Sequence, residues 1–193
     1  LGKTYRMKDL LYKRYSAGGP NLAPLYAYFQ LMKRHKFTGD DVVHIEVRGM
    51  RPGSDGIVDL HPSIHTETIL SLAACYGEYT FQHAHDPRYV TDPRFVAFKE
   101  RVRVTLVPRE GINLAGRSWR TKAGMTVRTR DGSEYQTEAN HPLMTQSDIE
   151  QKFRDLVGLR LNQARTMDLE RKLKEVESID NVAKLVSDLE IAY

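Results

Sequence analysis

The sequence has 193 residues, 40% hydrophobic and 28% charged, with a formal net charge of +4 and a pI near 9.1. That length suits one sizeable domain or two small ones, and the composition excludes a disordered or fibrous chain. The basic excess is spread along the chain, without a Lys/Arg block or regularly interleaved aromatics, which favours small anionic ligands and argues against a nucleic-acid partner.

Residues 1–12 are polar and basic apart from Leu10, Leu11 and Tyr12, and form a lead-in. Lys13, Arg14 and Tyr15 then make a cation-aromatic cluster ahead of Ser16-Ala17-Gly18-Gly19-Pro20. Such a turn lets glycine take positive φ and brings backbone close to a ligand. Asn21 stands at the N-cap of a helix to Lys36, with Leu22, Leu25, Phe29 and Met32 on one face. Cations on a glycine turn at a helix start are suited to holding an anion. The plainer alternative is a loop leading into a packed helix.

Thr38 and Asp41 have the spacing of a capping box. Val43, Ile45 and Val47 alternate with His44, Glu46 and Arg48, which predicts a half-buried strand. Gly49 to Pro62, rich in Gly, Pro and Asp, is a long loop of the kind that often carries function. A helix rich in small residues is expected over 63–79, with Ile69, Leu72, Ala73 and Tyr76 sharing a face. Asp92-Pro93 opens a short helix. Val102, Val104 and Leu106 form a second strand that Pro108 stops. Residues 109–123 are basic and irregular. Val127–Thr129 and Tyr135–Thr137 flank Asp131-Gly132, a type I′ hairpin signal.

Past His141-Pro142 the pattern is helical to the end, with Thr145/Asp148 or Ser147/Glu150 as capping boxes. Three apolar stripes follow: Ile149, Phe153, Leu156, Val157 and Leu161; Leu169, Leu173 and Val176; then Val182, Leu185, Val186 and Leu189. The expected fold class is α+β, a small mixed α/β domain with antiparallel strands over residues 1–140 and a helical C-terminal region over 141–193.

Titratable clusters are few. His61 and His65 have the spacing of two zinc ligands on a helix, but Pro62 lies between them and no Glu follows His61, so no metal site is expected. His65, near a loop-helix junction, is a candidate substrate contact. His83 and His85 are expected on a surface loop. Cys75, the one cysteine, is expected as a packing group, and Ser71 as a back-bonded helix serine. A single cysteine allows no intrachain disulfide and fits a reducing, cytoplasmic compartment. With no run of about 18 apolar residues and no charged-then-apolar leader, neither a membrane span nor a secretory signal is expected. No phosphate-cradling glycine loop of standard spacing is present. Arg117, Arg120 and Lys122 around Trp119 are expected as a solvated basic loop.

Several segments, in this order, resemble the C-terminal half of the MmgE/PrpD family of 2-methylcitrate dehydratases, cis-aconitate decarboxylases and an iminodisuccinate epimerase. They are Lys13-Arg14-Tyr15 before a turn and helix, Thr38-Gly39-Asp40-Asp41-Val42-Val43-His44-Ile45-Glu46-Val47, and Leu70-Ser71-Leu72. Thr91-Asp92-Pro93-Arg94-Phe95 leads to Arg101-Val102-Arg103-Val104, and Asp131-Gly132 to His141-Pro142-Leu143-Met144-Thr145 and Asp148-Ile149-Glu150-Gln151-Lys152-Phe153. The family's large helical domain is absent from this sequence. So is the histidine that many members carry on the turn, where Ser16 to Asn21 stand here.

The resemblance implies a lid-like α+β domain whose C-terminal helices pack on a helical domain carried by a separate chain, within a higher oligomer. It implies cofactor-independent, metal-independent proton abstraction next to a carboxylate of a small carboxylic acid, with dehydration ahead of decarboxylation and epimerisation as a further alternative. On this reading Lys13 anchors a substrate carboxylate and Tyr15 donates a hydrogen bond or lines the cleft. Arg14 and Asn21 are further substrate contacts, although neighbour alternation turns Arg14 to solvent and helix capping competes for Asn21. The missing histidine keeps a second class open, a non-catalytic scaffold or regulatory subunit.

Overall fold

The computed structural model describes residues 12–49, 61–106 and 122–187. The lead-in with Leu10 and Leu11, most of the loop between Gly49 and Pro62, Pro108, the basic segment around Trp119 with Arg117 and Arg120, and Leu189 lie outside the described residues. The chain is α+β with a helical C-terminal region. It divides into two compact units, the first ending at Leu143 and the second beginning at Met144.

In the first unit, helix α1 (Leu22–His35) is followed by strand β1 (Val42–Gly49). Helices α2 (Thr66–Tyr76), α3 (Phe81–His85), α4 (Pro87–Thr91) and α5 (Pro93–Lys99) then lead to strand β2 (Val102–Leu106). Strands β3 (Ala123–Thr129) and β4 (Glu134–Ala139) complete a four-stranded sheet in the order β2-β1-β3-β4. β1 pairs antiparallel with β3 but parallel with β2, so the sheet is mixed rather than all antiparallel. A parallel pair needs a long crossover, and the helices between β1 and β2 supply it.

Three local expectations are corrected. In β1 the residues facing the core are Val42, Ile45 and Val47, each 0% exposed, while Val43 is 44% exposed. A register shift against β3 between Val42 and His44 inserts one residue and flips the alternation there. In α1 the buried side chains are Leu22, Leu25, Tyr28 and Leu31, with Phe29 and Met32 only partly covered. Among the described residues only Gly77 and Gly132 are glycines with positive φ. The 129–133 hairpin turn therefore has both central residues at negative φ and Gly132 in the left-handed region after them, which is not type I′. Asp131 fixes it by accepting from Ser133 N at 3.0 Å and Thr129 Oγ1 at 2.7 Å.

Helix α2 is the centre of this unit. Ile69, Leu70, Leu72, Ala73 and Ala74 are all buried, so it has hardly any solvent face. Ser71 Oγ donates to Glu67 O at 2.6 Å, the back-bond expected of a packed helix serine. The turn Gly39–Asp41 lies against its C-terminal end, held by the Thr38/Asp41 capping box.

The second unit holds α6 (Gln146–Val157), α7 (Gln163–Lys174) and the short α8 (Val182–Ser187). Thr145 and Asp148 form the capping box of α6. Leu161, Leu169 and Leu185 make a small core with Phe153, Val157 and Ile179 against it. Of the expected stripes, Leu156, Leu173, Val176, Val182 and Val186 stay exposed. Ion pairs also link α6 to α7: Arg154 donates to both carboxylate oxygens of Glu170, at 2.6 and 2.7 Å, and Lys174 Nζ lies 2.8 Å from Glu170 and 3.0 Å from Glu150.

A Cβ on Gly39 would sit 1.9 Å from the carbonyl oxygen of Ala74, a backbone atom with no freedom to yield. Gly39→Ala is expected to cost about 3 kcal/mol in urea unfolding. Gly132→Ala, with open space around it and φ of +85°, is expected to cost only the strain of left-handed backbone, about 1 kcal/mol.

Candidate functional site

In the first unit the turn ending at Asn21 lies against the entry to α2, through Gly18 and Asn21. Gly18 has φ −56° and ψ 144°, and Gly19–Asn21 is a 3₁₀ turn, so the glycines do not serve positive φ. Gly18 N donates to Ser63 O at 2.9 Å, and a Cβ on Gly18 would meet Asn21 Nδ2 at 3.4 Å and Ile64 Cα at 3.7 Å, ordinary contact distances, so the backbone bond and not the missing side chain is what this residue supplies.

Asn21 does not cap α1; its side chain makes no cap hydrogen bond. It is fully buried and reaches across instead. Nδ2 donates to Ile64 O at 2.7 Å, and Oδ1 accepts from Thr66 Oγ1 at 2.6 Å. A buried carboxamide used at both ends fixes register, and deleting one partner strands the other at about 1–3 kcal/mol. Asn21 thus positions the corner from inside. The clamp brackets His65, which is half-buried and caps α2 in extended backbone without a side-chain cap bond.

Tyr15 is half-buried and packs beside Phe29 at 5.8 Å and edge-on to His141 at 6.1 Å between ring centroids. Tyr26 meets the same His141 ring edge-on at 6.4 Å, with its hydroxyl accepting from Gln30 Nε2 at 2.8 Å. His141 is 3% exposed. Sequence reasoning noted it only within His141-Pro142, because its partners lie more than a hundred residues away in the chain. Burial pushes the Tyr15 phenol up to about 12, with Arg14 pulling it down and Tyr26 pushing it up. At neutral pH Tyr15 is therefore a proton-bearing donor and not a base.

The two cations divide against expectation. Lys13 is exposed and Arg14 half-buried, with Arg14 Nε withdrawn from solvent. The turn bends here, so strand-like alternation does not apply.

His83 and His85 are not in a loop, although His85 is exposed as expected. They lie on α3, where His83 is buried against Tyr76 (4.9 Å) and Tyr89 (4.5 Å), its Nδ1 2.8 Å from Thr80 Oγ1 in the capping of that turn. Burial holds its pKa below the usual histidine value. Tyr76 OH donates to Asp92 Oδ2 at 2.6 Å, and Arg94 donates to Asp92 while lying 5.1 Å from the Tyr76 ring centroid. The Tyr76 bond, then those from Arg94, hold the Asp92 carboxyl down to about 2. Cys75 is half-buried, and burial pushes its thiol up to about 11, which makes it a packing group and a poor nucleophile. Among the described residues no group of three or more His, Cys, Asp or Glu could hold a metal ion, and no helix is long and apolar enough to cross a membrane.

No protein-family model matches this chain, and no curated protein matches it.

The Asp92 carboxylate is stabilised in the folded state, so its contribution is present above its unfolded pKa near 3.8 and lost as pH falls toward about 2. The stability difference between wild type and Asp92→Asn, measured by denaturant unfolding, is expected to hold from pH 7 to about 5 and to shrink through that acid window.

Proposed function

We propose that this chain forms one wall of the active site of a cofactor-independent lyase of the MmgE/PrpD type, acting on a small carboxylic acid. The opposite wall belongs to a helical half that this sequence does not contain. The carrying observation is the pinned corner: exposed Lys13 and the proton-bearing Tyr15 sit on a turn that Gly18 and Asn21 lock to the entry of α2. Fixed donors and cations are what a carboxylate needs when charge develops on the neighbouring carbon, and one well-aimed donor is worth roughly 10²–10³ in rate. Lys13 supplies the anchoring charge, Tyr15 the hydrogen bond, and Arg14 a second positive charge close behind. Asn21 holds the turn. His65, between the two residues that Asn21 holds, is a further substrate contact on this reading. The abstracting base comes from the helical half, because Ser16 to Asn21 contain no histidine. Dehydration ranks ahead of decarboxylation, and epimerisation shares the same first step. The apolar residues exposed on the second unit, Leu173, Val176, Val182 and Val186, suit covering by the helical half.

A scaffold or regulatory role is the second reading, favoured by that same missing histidine. Lys13→Ala separates the two. The chain is assayed with the helical half that co-purifies with it, for water or carbon dioxide loss from 2-methylcitrate and cis-aconitate. The lyase reading expects kcat/KM to fall about 10²–10³-fold with assembly unchanged. Unchanged turnover supports the scaffold reading and overturns the catalytic one.

A further inference from the structure

His61 and His85 take no part in the core. Both are exposed, and they come from different segments, the turn before α2 and the end of α3. Yet their ring centroids lie 5.0 Å apart with the planes tilted by 41°. Burial does not bring them together, and two protonated imidazoles would repel at this spacing. The spacing does match two imidazoles on one ion. With metal–nitrogen bonds of about 2.05 Å, about 1.1 Å more to each ring centre and a tetrahedral opening of about 109°, the centroids stand roughly 5 Å apart.

We propose that His61 and His85 form a two-imidazole binding site for a divalent transition-metal ion of the zinc or nickel class. The surroundings fit that chemistry. A histidine that ligates through one ring nitrogen gives the proton on the other to a neighbour. His61 Nδ1 accepts from Ser63 N at 3.2 Å and lies 2.9 Å from Ser63 Oγ; ligation through Nε2 moves the ring proton to Nδ1, which then donates to Ser63 Oγ in place of accepting from Ser63 N. Phe81 stacks on His85 at 4.3 Å and limits its swing. Among the described residues no third His, Cys, Asp or Glu completes a cluster, so the protein ligands named here are these two imidazoles. Imidazole ligands without thiolate or carboxylate favour zinc, nickel and copper over calcium or magnesium.

The location has a consequence. His61 belongs to the turn whose Ser63 and Ile64 carbonyls hold Gly18 and Asn21. An ion shared with His85 ties that turn to α3 and stiffens the base of the candidate site. The metal site itself stands whether or not the lyase reading does.

The test is calorimetric titration of the full, tag-free chain with ZnCl₂ and with NiCl₂ at pH 7.5, alongside His61→Gln, His85→Gln and, as a control on β1, His44→Gln. The proposal expects one saturable site per chain, weakened at least tenfold by His61→Gln and by His85→Gln and unchanged by His44→Gln. It also expects a metal-induced rise in Tm that both site variants lose. Both residues are exposed, and equal Tm values for wild type and variants in EDTA show that the variants fold. Absence of saturable binding in wild type, or binding by either site variant as tight as wild type, overturns the proposal.

Discussion

A single buried carboxamide sets the geometry of the corner that carries the candidate chemistry. Asn21 is inside the protein, and both ends of its amide are used, one on the Ile64 carbonyl and one on the Thr66 hydroxyl. A polar group in that position stabilises only while its partners stay in place, and costs a desolvation penalty when they do not. It therefore converts a glycine-rich turn, which would otherwise sample many conformations, into a fixed one. The Gly18 amide adds a third bond to Ser63 from the turn side. The consequence runs outward: Lys13, Arg14 and Tyr15 precede the clamped residues, and His65 sits between the two residues that Asn21 holds.

The rest of the first unit makes that clamp possible. Helix α2 is buried on nearly every side, so its entry cannot move without disturbing the core around Ile69, Leu70 and Leu72. The parallel β1–β2 pair forces the chain to cross back through α2 to α5, which sets α2 over the sheet. Tyr15 closes the corner from the other side by packing with Phe29 and the buried His141. Burial there keeps the phenol protonated well past neutral pH, so this corner offers positive charge and hydrogen-bond donors. Lys13, Arg14 and the protonated Tyr15 suit holding an anion and not taking a proton, and the proposed chemistry places its base elsewhere because Ser16 to Asn21 contain no histidine.

Much of the fold was legible because it rests on local rules. The capping pairs Thr38/Asp41 and Thr145/Asp148, the Asp92-Pro93 helix start and the alternation of β2 all follow from residues a few positions apart. What failed did so for non-local reasons. The bulge at Val42–His44 depends on pairing with β3, and the parallel partner of β1 depends on a strand over fifty residues on. Asn21 has the residue type and position of an N-cap, and only the presence of Ile64 and Thr66 draws its side chain away. His83 looked like a loop residue because Tyr76 and Tyr89, which bury it, come from α2 and α4, and α3 itself is too short to show a period. His141 could be seen as a residue but not as the floor beneath Tyr15 and Tyr26.

The most direct test of the clamp is native-state hydrogen exchange at the Gly18 amide, compared with core amides of β1 such as that of Ile45. The account predicts protection of Gly18 approaching that of the strand, and its collapse in Asn21→Ala while the strand stays protected. Free exchange of Gly18 in the wild-type chain would contradict it, because a turn that opens readily cannot hold Lys13 and Tyr15 for a substrate.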